Sequence, residues 1–198
     1  MTDLFAHKAP TWDNPVKIDM TQHFVARLRK NETLKPDDAV MEVGCGTGLV
    51  GLQLKDSVGR LTMVDNSKSM LDVLMGKISA DDANKIEIVH GDIEDVVGEH
   101  RFDWILAFMV LHHVYDTESF FATAKKLLQQ QGKLIIGDLY SEDGSFHGKE
   151  KMPHNGFDIE SLKAKLINAG FNHVSDETLM TLRKRDRDYD LFYLTASI

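Results

Sequence analysis

"VMEVGCGTGLVG", residues 40–51, decides how this chain is read. An apolar run ends in glycines at positions 44, 46 and 48. Glycine weakens the interior of a strand or helix, but it lets the backbone adopt left-handed turns and approach a ligand closely. Residues 39–43 therefore read as a short strand, the glycines as the turn that ends it, and 47–55 as the helix that follows.

Working outward, the same alternation repeats. Strands are expected at 60–64, 85–90, 102–108 and 133–139. Helices are expected at 68–78, at 117–130 with Thr117 as the cap, and at 158–168, where Gly170 supplies a stop signal. Residues 102–108 are almost continuously apolar, as a strand buried on both faces should be. The end of the chain breaks the pattern. Residues 173–182 and 189–197 are both β-rich, and only the charged turn "RKRDRD" separates them. No helix fits between, so an antiparallel hairpin is expected. Before the sheet lie one helix, at 20–29, and a break at "KPDD", residues 35–38. The fold class is therefore α/β, a doubly wound, mainly parallel seven-stranded sheet with 102–108 central and a C-terminal antiparallel hairpin. A single domain spans 1–198, with 1–35 an N-terminal helical segment and 38–198 the sheet core.

Composition narrows the function. The formal net charge is −8, and apolar residues make up 42% of the 198. That charge disfavours nucleic acid, because sequence-independent phosphate binding needs clustered Lys and Arg. The basic cluster at 183–187 is interleaved with Asp186 and Asp188 and reads as a solvated turn. No apolar stretch approaches membrane-spanning length. The N-terminus lacks an apolar signal region, and one cysteine, Cys45, needs no oxidising compartment. A cytoplasmic protein is expected.

The glycine loop lies at the carboxyl edge of the sheet, where open α/β folds bind ligands. Acidic residues stand at the ends of three successive strands. Asp65, about twenty residues past the loop, is placed to accept hydrogen bonds from ribose hydroxyls. Asp92, in "HGDIED", is placed to accept from an adenine amino group. Glu42 precedes the first glycine. Together they suggest a nucleoside site. A dinucleotide fingerprint would need a glycine where Leu49 stands, and a further acid beside the loop would repel a pyrophosphate. The ligand reads as an adenosine carrying a cationic group.

On these residues the chain resembles a class I S-adenosylmethionine-dependent methyltransferase of the small-molecule type. "VMEVGCGTG" is similar to the family's first motif, "GDIEDV" to its adenine-side motif, "FDWILAFMVLHHV" to its fourth-strand segment and "LLQQQGKLIIGDLY" to its fifth strand. The resemblance implies a Rossmann-like core and S-adenosylmethionine as cofactor. It implies that Gly44, Gly46 and Gly48 line the methionyl part, that Asp65 holds the ribose, that Asn66 and Met70 flank the adenosine, and that Asp92 and Ile93 face the adenine. Phe108 and its neighbours would close the methyl-bearing side. "AHKAPTWD" resembles the N-terminal segment of such enzymes and makes Trp12 a lid residue or a core residue of an N-terminal helix.

Methyl transfer from a sulfonium is an in-line displacement, so the protein mainly aligns the reactants. The Asn/Asp-Pro-Pro-aromatic run of amide and adenine N-methyltransferases is missing after the fourth strand. So are the Pro-Cys of cytosine methylation, the several cysteines of arsenite methylation and the metal-binding Asp of catechol-type enzymes. The expected partner is a small-molecule acceptor, with no metal, nucleic acid or membrane. His112 and His113 follow the fourth strand, and His147 and His154 lie in the long stretch after the fifth. A neutral imidazole can take a proton near neutral pH, so His113, His147 and His154 are the candidate bases, with one of the "LHH" pair structural. The alternatives are a non-catalytic S-adenosylmethionine-binding protein and a nucleotide-dependent oxidoreductase, against which Leu49 argues.

Overall fold

The computed structural model describes Asp3 and residues 5–198. Residues 1, 2 and 4 of the expected N-terminal segment lie outside the described residues. Seven strands form one sheet: β1 (Ala39–Val43), β2 (Arg60–Asp65), β3 (Ile86–His90), β4 (Phe102–Phe108), β5 (Leu128–Leu139), β6 (His173–Lys184) and β7 (Arg187–Ser197). Their order is β3-β2-β1-β4-β5-β7-β6, which puts β4 at the centre as its apolar sequence requires. β1 to β5 are parallel, with Val40 opposite Leu61 and Trp104, and Ile105 opposite Leu134. β7 runs antiparallel to both β5 and β6. Strand order reverses between β1 and β4, so the glycine loop leaves β1 at the switch point.

Five helices cover the two faces: α1 (Pro15–Asn31), α2 (Gly51–Leu54), α3 (Lys68–Met75), α4 (Thr117–Leu127) and α5 (Ile159–Asn168). On one face Phe24, Leu28, Leu54, Leu71 and Leu74 pack against Val40, Met63, Leu106, Ile135 and Tyr193. On the other, Phe120, Phe121, Leu127, Leu162 and Leu166 pack against Met41, Ile105, Ala107, Ile136 and Leu194. Burying each of these side chains contributes about 1.5–3 kcal/mol. No described helix is long and apolar enough to cross a membrane.

Several boundaries differ from the sequence expectation, each for a local reason. The helix after the glycine loop is one turn only, because Gly48 holds φ at +82° and residues 46–50 wind through turns. α1 begins at Pro15, with Asn14 accepting from the Lys17 N–H at 3.1 Å. A proline at the first helical position sacrifices no helical bond. α4 is capped by Asp116 rather than Thr117, through the Ser119 N–H at 2.9 Å. It stops at Leu127 because Leu128 already pairs with Phe102. The hairpin turn is the tight one its strands demand. Arg185 and Asp186 both have positive φ, 51° and 61°, as a two-residue type I′ turn needs.

Candidate functional site

Gly44, Gly46 and Gly48 all take positive φ. A side-chain carbon at Gly44 would fall 2.3 Å from Val110 and one at Gly48 2.5 Å from Leu74, so only glycine fits at either. The acid at the end of β2 ties this loop down. Asp65 Oδ2 accepts the Gly46 N–H at 2.6 Å and Oδ1 the Ser67 N–H at 2.8 Å. Burial nevertheless raises its pKa above the ordinary carboxylate value. A carboxylate offers about four acceptor positions, so lone pairs remain for a ligand. Beneath the loop, Glu42 is 3% exposed and accepts the Gly51 N–H at 2.8 Å. Burial outweighs that bond, and nearby Asp65 adds to it, pushing the carboxyl up to about 8. Burial also lifts the Cys45 thiol well above its usual value, which makes it an inert loop residue.

The ends of β2 and β3 are joined by Asn66 Nδ2, which donates to Asp92 Oδ1 at 3.0 Å. Met70 and Ile93 are buried nearby in the chain's order, each at 2%. The N-terminal segment crosses over this edge. Asp3 accepts from the Ser67 hydroxyl at 2.8 Å and the Ser69 N–H at 3.0 Å, and these bonds hold its pKa well below the usual range. Asp13 pairs with Lys77 and accepts from the Thr47 hydroxyl, each at 2.5 Å. Between them, half-buried Trp12 brings Nε1 to 3.6 Å from where a side-chain carbon on Gly46 would stand. Trp12 thus lies on the glycine loop rather than in a helix core, with Phe5 edge-on to it at 5.6 Å.

Beyond β4, Met109 takes a left-handed conformation, φ 54°, that few large side chains adopt. It swings the chain into the tight turn Leu111–His113. His112 is 1% exposed and its Nδ1 lies 2.7 Å from Asp138 Oδ1 on β5, which is fully buried. Asp138 also accepts the backbone N–H groups of His112 and Leu139. The His113 ring sits 4.2 Å from His112, 5.8 Å from His147 and 5.8 Å from Phe5. Burial first, then these two histidines, lower the His113 pKa to about 4. Burial and then His112 lower His147 to about 4 as well. His147 Nε2 is buried with no partner among the described residues. His154 is used differently: a carbonyl can only accept, so its Nε2–H donates to Val114 O at 2.9 Å and steadies the turn.

The structure therefore brings His113 and His147 together beside the N-terminal segment and turns His154 into a brace. Phe108 is half-buried, with its ring stacked on Phe24 of α1 at 4.6 Å. Asp138, Asp3 and Asp13 escaped the sequence reading. Only Asp138 carried a usable signal, an acid directly after the apolar run 134–137 near the carboxyl end of β5.

Comparison with known proteins follows the same lines. A family profile described as "Methyltransferase domain" matches residues 41–136. Phosphoethanolamine N-methyltransferase 1 of Zea mays is 28% identical over 180 residues, 84% of this chain and 34% of its own length. An uncharacterized methyltransferase of Staphylococcus carnosus is 26% identical over 181 residues, 88% of this chain and 84% of the relative. The solved structure of Haemonchus contortus phosphoethanolamine N-methyltransferase 2 in complex with S-adenosyl-L-methionine superposes with a TM-score of 0.75 at 16% identity. It covers 89% of this chain and 52% of that one. The chain thus spans only a third to a half of the two phosphoethanolamine enzymes.

Proposed function

Because this chain belongs to the class I S-adenosylmethionine-dependent methyltransferases, we propose that it methylates a small molecule held over the histidine turn. The observation that carries this reading is the convergence on one sheet edge of three acids, a glycine loop crowded at Gly44 and Gly48, and a buried histidine group. The donor set fits the cofactor. Asp65 has acceptor positions to spare for ribose hydroxyls, and the Glu42 carboxyl, close beneath the loop, would ionise beside a bound cationic ligand.

S-adenosylmethionine, when bound, supplies a methyl group already activated on a positively charged sulfur. Gly44, Gly46 and Gly48 would line its methionyl part. Asp65 would hold the ribose, Asn66 and Met70 would flank the adenosine, and Asp92 and Ile93 would face the adenine. Trp12 and Phe5 would exclude water from above. Phe108, stacked on Phe24, would support the methyl-bearing side from behind. The acceptor pocket would lie where the N-terminal segment, His113 and the loop carrying His147 meet. Alignment supplies most of the rate. His113 and His147, neutral at physiological pH, would take the acceptor's proton where one must leave, and His154 would brace the turn. A cytoplasmic setting suits the single buried cysteine.

The test is transfer of labelled methyl from S-adenosylmethionine to a small-molecule library, with calorimetric cofactor binding in parallel. Transfer to at least one acceptor is expected. Tight cofactor binding with no transfer to any acceptor would favour a non-catalytic binding protein. Binding of NAD(H) in place of S-adenosylmethionine would overturn the reading.

A further inference from the structure

The aromatic rings around the histidine turn carry cations that the charge of the chain does not call for. Lys17 Nζ stands over the Trp12 ring, Lys8 over Phe5 at 5.7 Å, and Lys184 over Phe146 at 3.9 Å. These rings touch one another or the histidines: Phe5 meets Trp12 and His113, His113 meets His147, and His147 meets Phe146 at 4.9 Å. The three lysines therefore border one continuous wall. Lys184, within the cluster 183–187 that the sequence reads as a solvated turn, is half-buried against Phe146, and the Arg185 guanidinium lies against Gly148.

Their counter-ions are elsewhere. Lys8 pairs with Glu150 at 2.7 Å, and Asp13 is held by Lys77. Lys17 and Lys184 make no ion pair among the described residues, and residues 1, 2 and 4 carry no carboxylate. Burial, then Lys8 and Lys184, lower the Lys17 ammonium to about 8, and burial, then Arg185, lowers Lys184. Glu142 is the one acid near Lys184 that no described cation neutralises. Its Oε2 accepts the Phe146 N–H, and its Oε1 is buried without a partner. One carboxylate does not balance Lys17, Lys184 and Arg185. A second observation points the same way: His147 Nε2, on the same wall, is buried and unpartnered. A buried polar group left unmade costs about 1–3 kcal/mol, and a ligand acceptor would relieve it.

We propose that the Lys17, Lys184 and His147 side of the pocket binds an anionic group, a carboxylate or phosphate, carried by the methyl acceptor. The inference rests on the pocket placement proposed above. It deepens that reading by making the acceptor a small anion with a partly apolar body, since Phe5, Trp12 and Phe146 supply the rest of the wall.

The same chemistry could serve the cofactor's own carboxylate, and the experiment separates the two. Inorganic phosphate is titrated by calorimetry into the full chain saturated with S-adenosylhomocysteine, and again into the chain alone. The His147 ring proton resonances are followed by NMR. Saturable binding that shifts those resonances is expected. Lys184→Met and Lys17→Met should each weaken phosphate about tenfold, and Lys184→Arg should largely restore it. S-adenosylhomocysteine affinity should stay within about twofold in all of them. Phosphate binding that is absent, or indifferent to both methionine variants, would overturn the proposal. So would variants that weaken S-adenosylhomocysteine instead. If S-adenosylhomocysteine does not bind the unmutated chain, the cofactor assignment falls, while the titration without it still decides for or against the anion site.

Discussion

Replacing Glu42 by glutamine should remove a loss of stability that the protein suffers as pH rises. The buried carboxyl, pushed up to about 8, keeps its proton in the folded chain across neutral pH, whereas the unfolded chain releases it near the ordinary 4.5. Between those values the folded state holds the extra proton, so stability falls with rising pH, and above 8 the loss is complete. At 1.4 kcal/mol per pH unit the ceiling is about 5 kcal/mol. Relaxation and water entry around an ionised group reduce this, so about 2–4 kcal/mol is expected at pH 9. Glutamine keeps an oxygen for the Gly51 N–H and cannot ionise. The variant should equal or slightly trail the parent at pH 5 and exceed it at pH 9. Urea unfolding without cofactor at pH 5, 7 and 9 measures this directly. A stability difference that does not change with pH would refute the reasoning. A cationic ligand placed near Glu42 should also lower that pKa. Binding near pH 7.5 should then release a proton, seen as buffer-dependent heat, and Glu42→Gln should abolish the release.

Asp65→Ala should weaken S-adenosylmethionine about tenfold or more through loss of a charge-assisted acceptor, and unchanged calorimetric affinity in a folded variant would remove Asp65 from the site. With His113 and His147 both lowered to about 4, a histidine base stays unprotonated down to that pH. Turnover should therefore hold level from about pH 7 down to pH 5 and fall as pH drops toward 4, and a midpoint at an ordinary histidine value would contradict the buried-base reading. His113→Asn should cut turnover with cofactor affinity nearly intact, whereas full turnover in both His113→Asn and His147→Asn would mean that alignment alone suffices. Asp138→Asn weakens three hydrogen bonds at a buried site and should cost about 3–5 kcal/mol, roughly 6–20 °C in a thermal melt. A shift under 2 °C would show that the pair contributes little to stability.

Much of the fold was legible because local pattern and tertiary demand agree. The apolar run at β4 and the two β-rich ends around "RKRDRD" leave little choice of neighbours, and the glycines fix where β1 stops. The boundaries that shifted are those where a long-range contact overrides propensity. Leu128 leaves its helix because Phe102 offers a strand to pair with. The site divides the same way. Glu42, Asp65 and Asp92 could be read because each stands at the carboxyl end of a strand in its own segment. The His112–Asp138 pair spans two strands, and Asp3 reaches the start of α3 from the far N-terminus. Such contacts exist only once the sheet is assembled, and no periodicity encodes them. Lys184 misled for the same reason: its charge reads as solvent-facing, but Phe146 packs beneath it.

Binding of S-adenosylmethionine at the β1–β4 switch point is tested most directly by a crystal structure of the full chain grown with S-adenosylhomocysteine. The expected result is ribose hydroxyls on Asp65, adenine beside Asp92 and Ile93, the amino-acid end along Gly44–Gly48, and the sulfur facing His113. A ligand bound elsewhere, or one that leaves Asp65 and the glycine loop untouched, would contradict the assignment.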